Sequence, residues 1–267
     1  MKLAIKKQPF AISIDSNPKE IVFICSHERS GTHFLMNSLG ENSNYDSENF
    51  TNFDYLPLGD IINFYSASSV KNFLRTLTNL QLDGKKVYCN SILKSHHSVG
   101  FFQSLMGLEN IKFLYICRDP VETLISFWRL LHSLEWNEGL KAKSPLDLAR
   151  AIPSGQLTRY QWKQENTHFS RWANHVNDWL NASKINSSIK FLNYRNLNTD
   201  FEKEIEEVLS FCKVRPTKLK KRPDRDKFIH GKNLNLSEKD HEALIEYVNQ
   251  NLNNYPELKS LFQSNKS

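Results

Sequence analysis

Three short stretches carry side chains able to act on an anion. The first, "SHERSGTHFL", lies between an apolar run and an apolar pattern at helical spacing. If the run is a strand and Thr32 opens a helix, the backbone N–H groups of the turn converge where the helix dipole is positive, which favours an anion. Ser30 and Thr32 add hydroxyls, Gly31 lets the backbone approach a ligand closely, and Arg29 brings a charge that is never lost. The second stretch, "LKSHH", puts Lys94 and His96 at the end of a strand-like run, the edge where α/β proteins collect ligands. Histidine suits the removal of a hydroxyl proton near neutral pH, and the adjacent His97 leaves the register open by one. The third, "RDPVETLISFW", offers Arg118 at a strand end and Ser126 on the following helix, a pair fit for a second phosphate at a distance from the first. Each stretch also has an ordinary structural reading: a βα turn, a surface histidine pair, and an ion pair from Arg118 to Asp119 or Glu122.

The elements that must position these groups are legible in the hydrophobic pattern. Buried strands are predicted at 20–26, within 86–97, at 111–118 and at 188–194, with helical patterns between them. That alternation predicts an α/β fold, a parallel sheet with helices on both faces. Asp119, Pro120 and Glu122 read as an N-cap, first helical residue and capping-box partner. Asp200 and Ser237 are further candidate caps for amphipathic helices. Residues 136–165 mix Pro, Gly, short helical pieces and aromatics, and read as a lid-like insertion in a single domain spanning 1–267.

Composition narrows the partners. The chain has 267 residues, a formal net charge of +6 and 17 Phe, which suits a sizeable core and an anionic ligand or surface. Lysines crowd 213–232, either as a nucleic-acid patch or as a basic rim over a phosphate site, and no aromatic interleaving supports the former. Cysteines 25, 89, 117 and 212 show no paired spacing and read as buried thiols of a reducing compartment. The absence of a long apolar segment predicts a soluble, cytoplasmic protein without a membrane partner. No carboxylate or cysteine joins His96 and His97 at metal-ligand spacing, so no metal site is expected.

Together the three stretches resemble the sulfotransferases that use 3′-phosphoadenosine 5′-phosphosulfate (PAPS). "SHERSGTHFL" is similar to the family's 5′-phosphosulfate loop, "LKSHH" to its Lys-Thr-His strand end, and "RDPVETLISFW" to its 3′-phosphate motif with the same Arg-to-Ser separation. "HFSRWANHVNDWL" resembles the helix before the next core strand, and "IKFLNYRNL" the strand whose Tyr, here Tyr194, lies by the adenine. "FIHGKNLNLSEKDHEAL" is similar to the segment that covers the 3′-phosphate. Three departures stand out: Arg29 where many cytosolic members have Lys, Phe34 where they often have a stacking Trp, and His230-Gly231-Lys232 in place of Arg-Lys-Gly.

The resemblance implies a three-layer α/β/α fold like that of nucleotide kinases and transfer of a sulfuryl group from PAPS, leaving 3′-phosphoadenosine 5′-phosphate (PAP), without a metal. His96 would be the base, with Arg29 and Lys94 on the transferred group. Arg29, Ser30, Gly31, Thr32, His33, Phe34, Arg118, Ser126, Tyr194, His230, Gly231 and Lys232 would hold the donor. The acceptor would be a hydroxyl or amine of a small molecule, and phenol, glycan, steroid, lipid, peptide and cationic natural-product acceptors are not separated by the sequence. Trp128, Trp136, Tyr160 and Trp162 would either offer the acceptor an aromatic wall or pack in the core, and Glu122, Glu135, Glu138 and Glu165 would either meet a cation, such as an amine or guanidinium natural product, or be ordinary surface carboxylates. A phosphate-loop kinase would share the first motif, but this chain lacks the Gly-Lys-Ser/Thr of such kinases and an evident magnesium-binding Asp at a strand end. A non-catalytic nucleotide- or nucleic-acid-binding protein is the other alternative, and oligomeric state is not encoded.

Overall fold

The structure, a computed structural model, describes residues 12–13, 20–52, 54, 81–82, 85–86, 88–89, 91–103, 105–107, 111–216, 221–224 and 233–263. One five-stranded sheet organises them, made of β1 (Ile21–Cys25), β2 (Asp46–Asn52), β3 (Ser91–Ser95), β4 (Ile111–Cys117) and β5 (Ile189–Asn193). The order is β2-β3-β1-β4-β5 and every neighbouring pair is parallel. Central parallel strands are covered on both faces, which is why "IVFIC" of β1 is apolar throughout and wholly buried. Its side chains alternate between two cores: Phe23 and Cys25 enter one, Val22 and Ile24 the other.

Helices close both faces, giving the expected three-layer α/β/α arrangement. On one face α1 (Thr32–Asn42), α5 (Tyr194–Thr199) and α6 (Phe201–Phe211) bring Leu35, Met36, Leu197, Ile205 and Val208 against Val22, Ile24, Leu114 and Ile116. On the other, α4 (His168–Ile185), α7 (Glu238–Leu252) and α8 (Pro256–Gln263) bring Trp172, Val176, Trp179, Leu244, Val248 and Leu258. α2 (Pro120–Ser133) leaves the end of β4 and packs with α3 (Pro145–Arg150) around a small third core of Trp128, Leu131, Leu148, Leu157 and Tyr160. The 136–165 stretch is therefore folded onto α2 by its own apolar contacts. Among the described residues no helix is long and apolar enough to cross a membrane.

Several local expectations need correction. Edge strand β2, "DSENFTN", has no apolar alternation to announce it, because an edge strand backed by only one neighbour tolerates polar side chains on both faces. Glu122 does not complete a capping box: Asp119 alone accepts from the N–H groups of Val121 and Glu122, at 2.9 and 3.1 Å. The Glu122 carboxylate instead takes Arg118 Nε at 2.7 Å, an i,i+4 charge pair that outcompetes a neutral amide. Asp200 stands at the N-cap of α6 but its side chain caps nothing, whereas Ser237 Oγ accepts from Asp240 N–H at 3.1 Å. Cys25, Cys117 and Cys212 are buried free thiols.

Trp179 anchors α4 on the sheet. Trp179 is fully buried, stacks on Tyr115 with ring centroids 5.1 Å apart, and lies 5.8 Å from Phe102 and Phe113. Truncating it removes aromatic area that nothing nearby can refill. Trp179→Ala is expected to cost about 3–5 kcal/mol, read as a lower urea midpoint at unchanged slope.

Candidate active site

All five strands end at the same edge of the sheet, and each delivers a polar group there. β1 runs into the 27–31 loop, β2 into Asp54, β3 into His96, β4 into Arg118 and β5 into Tyr194. Because β1 sits between β3 and β4, the chain reverses direction across the sheet at β1, opening a crevice above the strand ends. A cavity of about 510 Å³ occupies it, lined by Arg29, Gly31, Thr32, His33, Phe34, Lys94, His96, Arg118 and Tyr194 among others. These residues come from four separate stretches. Ser30 lies buried behind the loop and Ser126 reaches the site through Arg29, while His230, Gly231 and Lys232 lie outside the described residues.

The loop after β1 is built to leave backbone exposed to a ligand. Arg29 and Gly31 both have positive φ, 66° and 102°, so the chain curls back on itself before α1 begins. Gly31 is the N-cap and offers no side-chain acceptor, so the first-turn amides of α1 keep their hydrogen-bonding capacity. A Cβ at residue 31 would lie 2.4 Å from Cδ2 of Tyr194, so only glycine satisfies both the torsion and the contact. Thr32 Oγ1 is held by Ser26 Oγ at 2.6 Å, and Ser30 Oγ is buried with no hydrogen-bond partner among the described residues.

His96 is fixed from three directions. Its Nδ1 lies 2.9 Å from the Ser26 carbonyl, which can only accept, so Nδ1 carries the proton and Nε2 the lone pair. Its backbone carbonyl accepts from His175 Nε2 at 3.1 Å, and its N–H donates to Asp54 Oδ1 at 3.0 Å. Burial and then the Lys94 charge lower its pKa to about 4, against Asp54 and Glu28, which raise it. The imidazole is therefore neutral at pH 7. His97 turns away into the fold, 3 % exposed, with Nδ1 donating to Asp54 Oδ1 at 3.0 Å and its ring packed on Phe101 and Tyr160. Only His96 of the pair lines the cavity.

Arg29 and Arg118 reach the cavity from β1 and β4. Arg29 Nε donates to Ser126 Oγ at 2.9 Å, tying the loop to α2. Arg118 lies over the Tyr194 ring at 4.8 Å, and Tyr194 meets Phe34 edge to face at 5.7 Å. Tyr194 stands on the first turn of α5, whose cap is Asn193, accepting from Arg195 N–H at 2.9 Å. Arg222 covers the other aromatic, 5.4 Å from the Phe34 centroid. The four-aromatic wall is only half as anticipated. Trp136 and Tyr160 line the cavity with Phe127, Leu130 and Leu134; Trp128 is buried and donates to the Ala142 carbonyl at 2.8 Å, and Trp162 packs on Gly100 and Phe101 beside a different cavity. Of the four carboxylates considered, only Glu138 lines the site, and it is paired with Arg159 at 3.0 Å.

Sequence reasoning missed two buried groups behind the site. Arg171 on α4 donates to both oxygens of Glu28, at 2.7 and 2.8 Å, and to His27 Nε2 at 2.9 Å. Burial opposes ionisation of Glu28, but Arg171 outweighs it and holds the carboxyl far below its usual range. The second is Asp54, which accepts from Lys94, Ser95, His96 and His97. No motif marks either, since their partners are brought in by tertiary structure. Among the described residues, no group of three or more His, Cys, Asp or Glu is placed to share a metal ion.

Besides His27, whose pKa burial lowers well below its usual range, four histidines around this edge are held neutral. Burial lowers His33 and His96 to about 4 and His168 and His175 to about 3, helped at His33 and His96 by Lys94 and at the other two by Arg171. Each takes up its proton near pH 6.5 when unfolded, so between pH 6.5 and 4 the unfolded chain binds more protons and stability falls as pH falls. Glu165 and Asp178, whose burial raises their pKa, oppose this in the carboxylate range. Thermal melts should give a Tm on the order of 10 °C lower at pH 5 than at pH 7; an unchanged Tm over that interval would contradict the buried histidines.

The chain is similar to known proteins along most of its length. The family model described as "Sulfotransferase domain" matches residues 19–248. Mouse and rat sulfotransferase 1E1 are each 22 % identical to the chain, over 126 and 125 residues. These alignments cover 47 % of this chain and 38 % of the relatives, so the chain spans well under half of the relatives' length there. Among solved structures, the sulfotransferase from Alicyclobacillus acidocaldarius is similar with a TM-score of 0.48 and 13 % identity, covering 91 % of this chain and 96 % of that one. Mouse sulfotransferase SULT7A1, complexed with PAP, gives a TM-score of 0.47 and 13 % identity, with 88 % and 65 % covered. The family match spans most of the chain and every strand of the sheet, and the chain belongs to the sulfotransferase domain family.

Proposed function

We propose that this chain moves the sulfuryl group of PAPS to a hydroxyl or amine of a small-molecule acceptor. The observation that carries the reading is one cavity edged by two guanidiniums from different strand ends, Arg29 and Arg118, together with the Lys94 ammonium and the His96 imidazole. A donor with a reacting phosphosulfate and a separate, non-reacting phosphate needs more than one cationic group, and separate strand ends supply them here. The residues present fit it: Gly31 lines the cavity and caps none of the first-turn amides of α1, leaving them to an anion.

The donor supplies an activated sulfuryl group on a phosphate leaving group; the protein supplies position and charge. Arg29 and the amides of residues 30–33, with Ser30 and Thr32, hold the 5′ end, flanked by His33. Arg118 and Ser126 grip the 3′-phosphate, while Tyr194 and Phe34 border the base. His230, Gly231 and Lys232 complete that grip in this reading. Lys94 stabilises charge on the bridging oxygen. His96 Nε2, kept as a lone pair by the Ser26 carbonyl, takes the acceptor's proton. Phe127, Leu130, Leu134, Trp136 and Tyr160 give the acceptor an apolar wall. The fixed cations do the work a metal does in phosphoryl transfer, and the site of action is cytoplasmic in this reading.

A thermal-shift series separates this from a kinase. At about 100 times its Kd, PAP without magnesium should raise Tm by about 5–10 °C, whereas stabilisation by ATP with magnesium alone would sink the proposal. His96→Ala should lose about 10²–10⁴ in kcat yet bind PAP as the parent does; near-normal turnover would remove His96 from the mechanism. Arg118→Ala should act on binding, raising the KM for PAPS by about 10–100-fold with a much smaller change in kcat.

A further inference from the structure

We infer that Asp54 is a positioning residue of the transfer site, fixing the Lys94 ammonium and the His96 backbone in the arrangement that transfer requires. The inference rests on the function proposed above. Asp54 follows edge strand β2, and its side chain is fully buried. Its Oδ2 accepts from Lys94 Nζ at 3.3 Å. Its Oδ1 accepts from Ser95 Oγ at 2.9 Å, His96 N–H at 3.0 Å and His97 Nδ1 at 3.0 Å. One carboxylate thus gathers four donors from four consecutive residues at the end of β3.

The cavity wall includes Lys94 and His96 but is not formed by Asp54, so the carboxylate acts through those two groups and does not touch a substrate. Lys94 is buried, and a buried charge is retained in a fold only beside a partner of opposite sign. Asp54 supplies that charge and a direction, since one oxygen draws Lys94 while the other is occupied by three donors. The same oxygen holds the N–H of His96, and the carbonyl of His96 is held from the other side by His175. The backbone of His96 is thereby clamped at both polar atoms. Burial disfavours ionised Asp54, but Lys94 and the hydrogen bond from His97 outweigh it, keeping the carboxyl well below its usual range.

The test compares the full chain with Asp54→Asn and Asp54→Ala. Asp54→Asn keeps an oxygen for Ser95 and His96 but turns an amide toward Lys94. It should keep the PAP Kd within about twofold and lose about 10²-fold in kcat, with a larger loss for Asp54→Ala. In a Lys94→Ala background the Asn change should cost less than it does alone, because the two act through one contact. In the free chain, hydrogen exchange of the His96 amide should quicken in Asp54→Ala and stay slow in Asp54→Asn. Unchanged kcat in both variants overturns the inference, as does equal loss of kcat and PAP affinity. If Asp54→Ala does not fold, Asp54→Asn decides; an Asn variant that also fails to fold assigns Asp54 to the framework and overturns it too. A parent chain that neither binds PAP nor transfers sulfuryl groups fails the functional reading itself, before any variant is compared.

Discussion

The site depends on β1 being paired in parallel on both sides. Its last residue, Cys25, is level with Ser95 of β3 and Tyr115 of β4, and the next amide, Ser26 N–H, still reaches the Ser95 carbonyl at 3.2 Å. Parallel strands need crossover helices, so consecutive loops at this edge belong to distant parts of the chain yet end within one crevice. The packing of α1 on one face and α4 on the other holds the strands in register. A one-residue slip in any of them would exchange the two cores and withdraw its loop from the cavity.

Charge inside this edge is arranged in closed pairs. Glu28 is matched by Arg171, which donates to both its oxygens, and Asp54 by Lys94, with hydrogen bonds from Ser95 and His96 on its other oxygen. Buried ion pairs contribute little net stability once desolvation is counted, but breaking one is costly, so they act as rigid joints. The neutral histidines fill the space between the joints. Tyr115 OH and His175 share a 2.8 Å hydrogen bond beneath His96, so the imidazole's support extends into the aromatic core around Trp179. The stiffness of the His96 position comes from packing as much as from polar contacts.

The sequence carried the fold where local physics decides it. Apolar runs ending in Ser26, Ser95 and Arg118 announced β1, β3 and β4, and the Gly-Thr turn announced the start of α1. What it did not carry was set by distant partners. β2 is polar because it lies at an edge, and the acid that follows it has meaning only beside the end of β3. Likewise, nothing local distinguishes Arg171 from any other helical arginine until α4 brings it to Glu28. The aromatics near 128–162 show the same limit: spacing grouped them, but packing sent Trp128 into a core and Trp162 to another surface.

The contact between Gly31 and Tyr194 has an evolutionary consequence. Tyr194 occupies the space a Cβ would need, and its ring carries the guanidinium of Arg118. Any side chain gained at residue 31 must displace the ring, and the displaced ring no longer supports a cation anchored on a different strand. Substitutions at 31, 194 and 118 are therefore epistatic although 163 positions separate the first two along the chain (194 minus 31). Drift at one of these positions is viable only after accommodation at another, so the three residues are inherited as a unit.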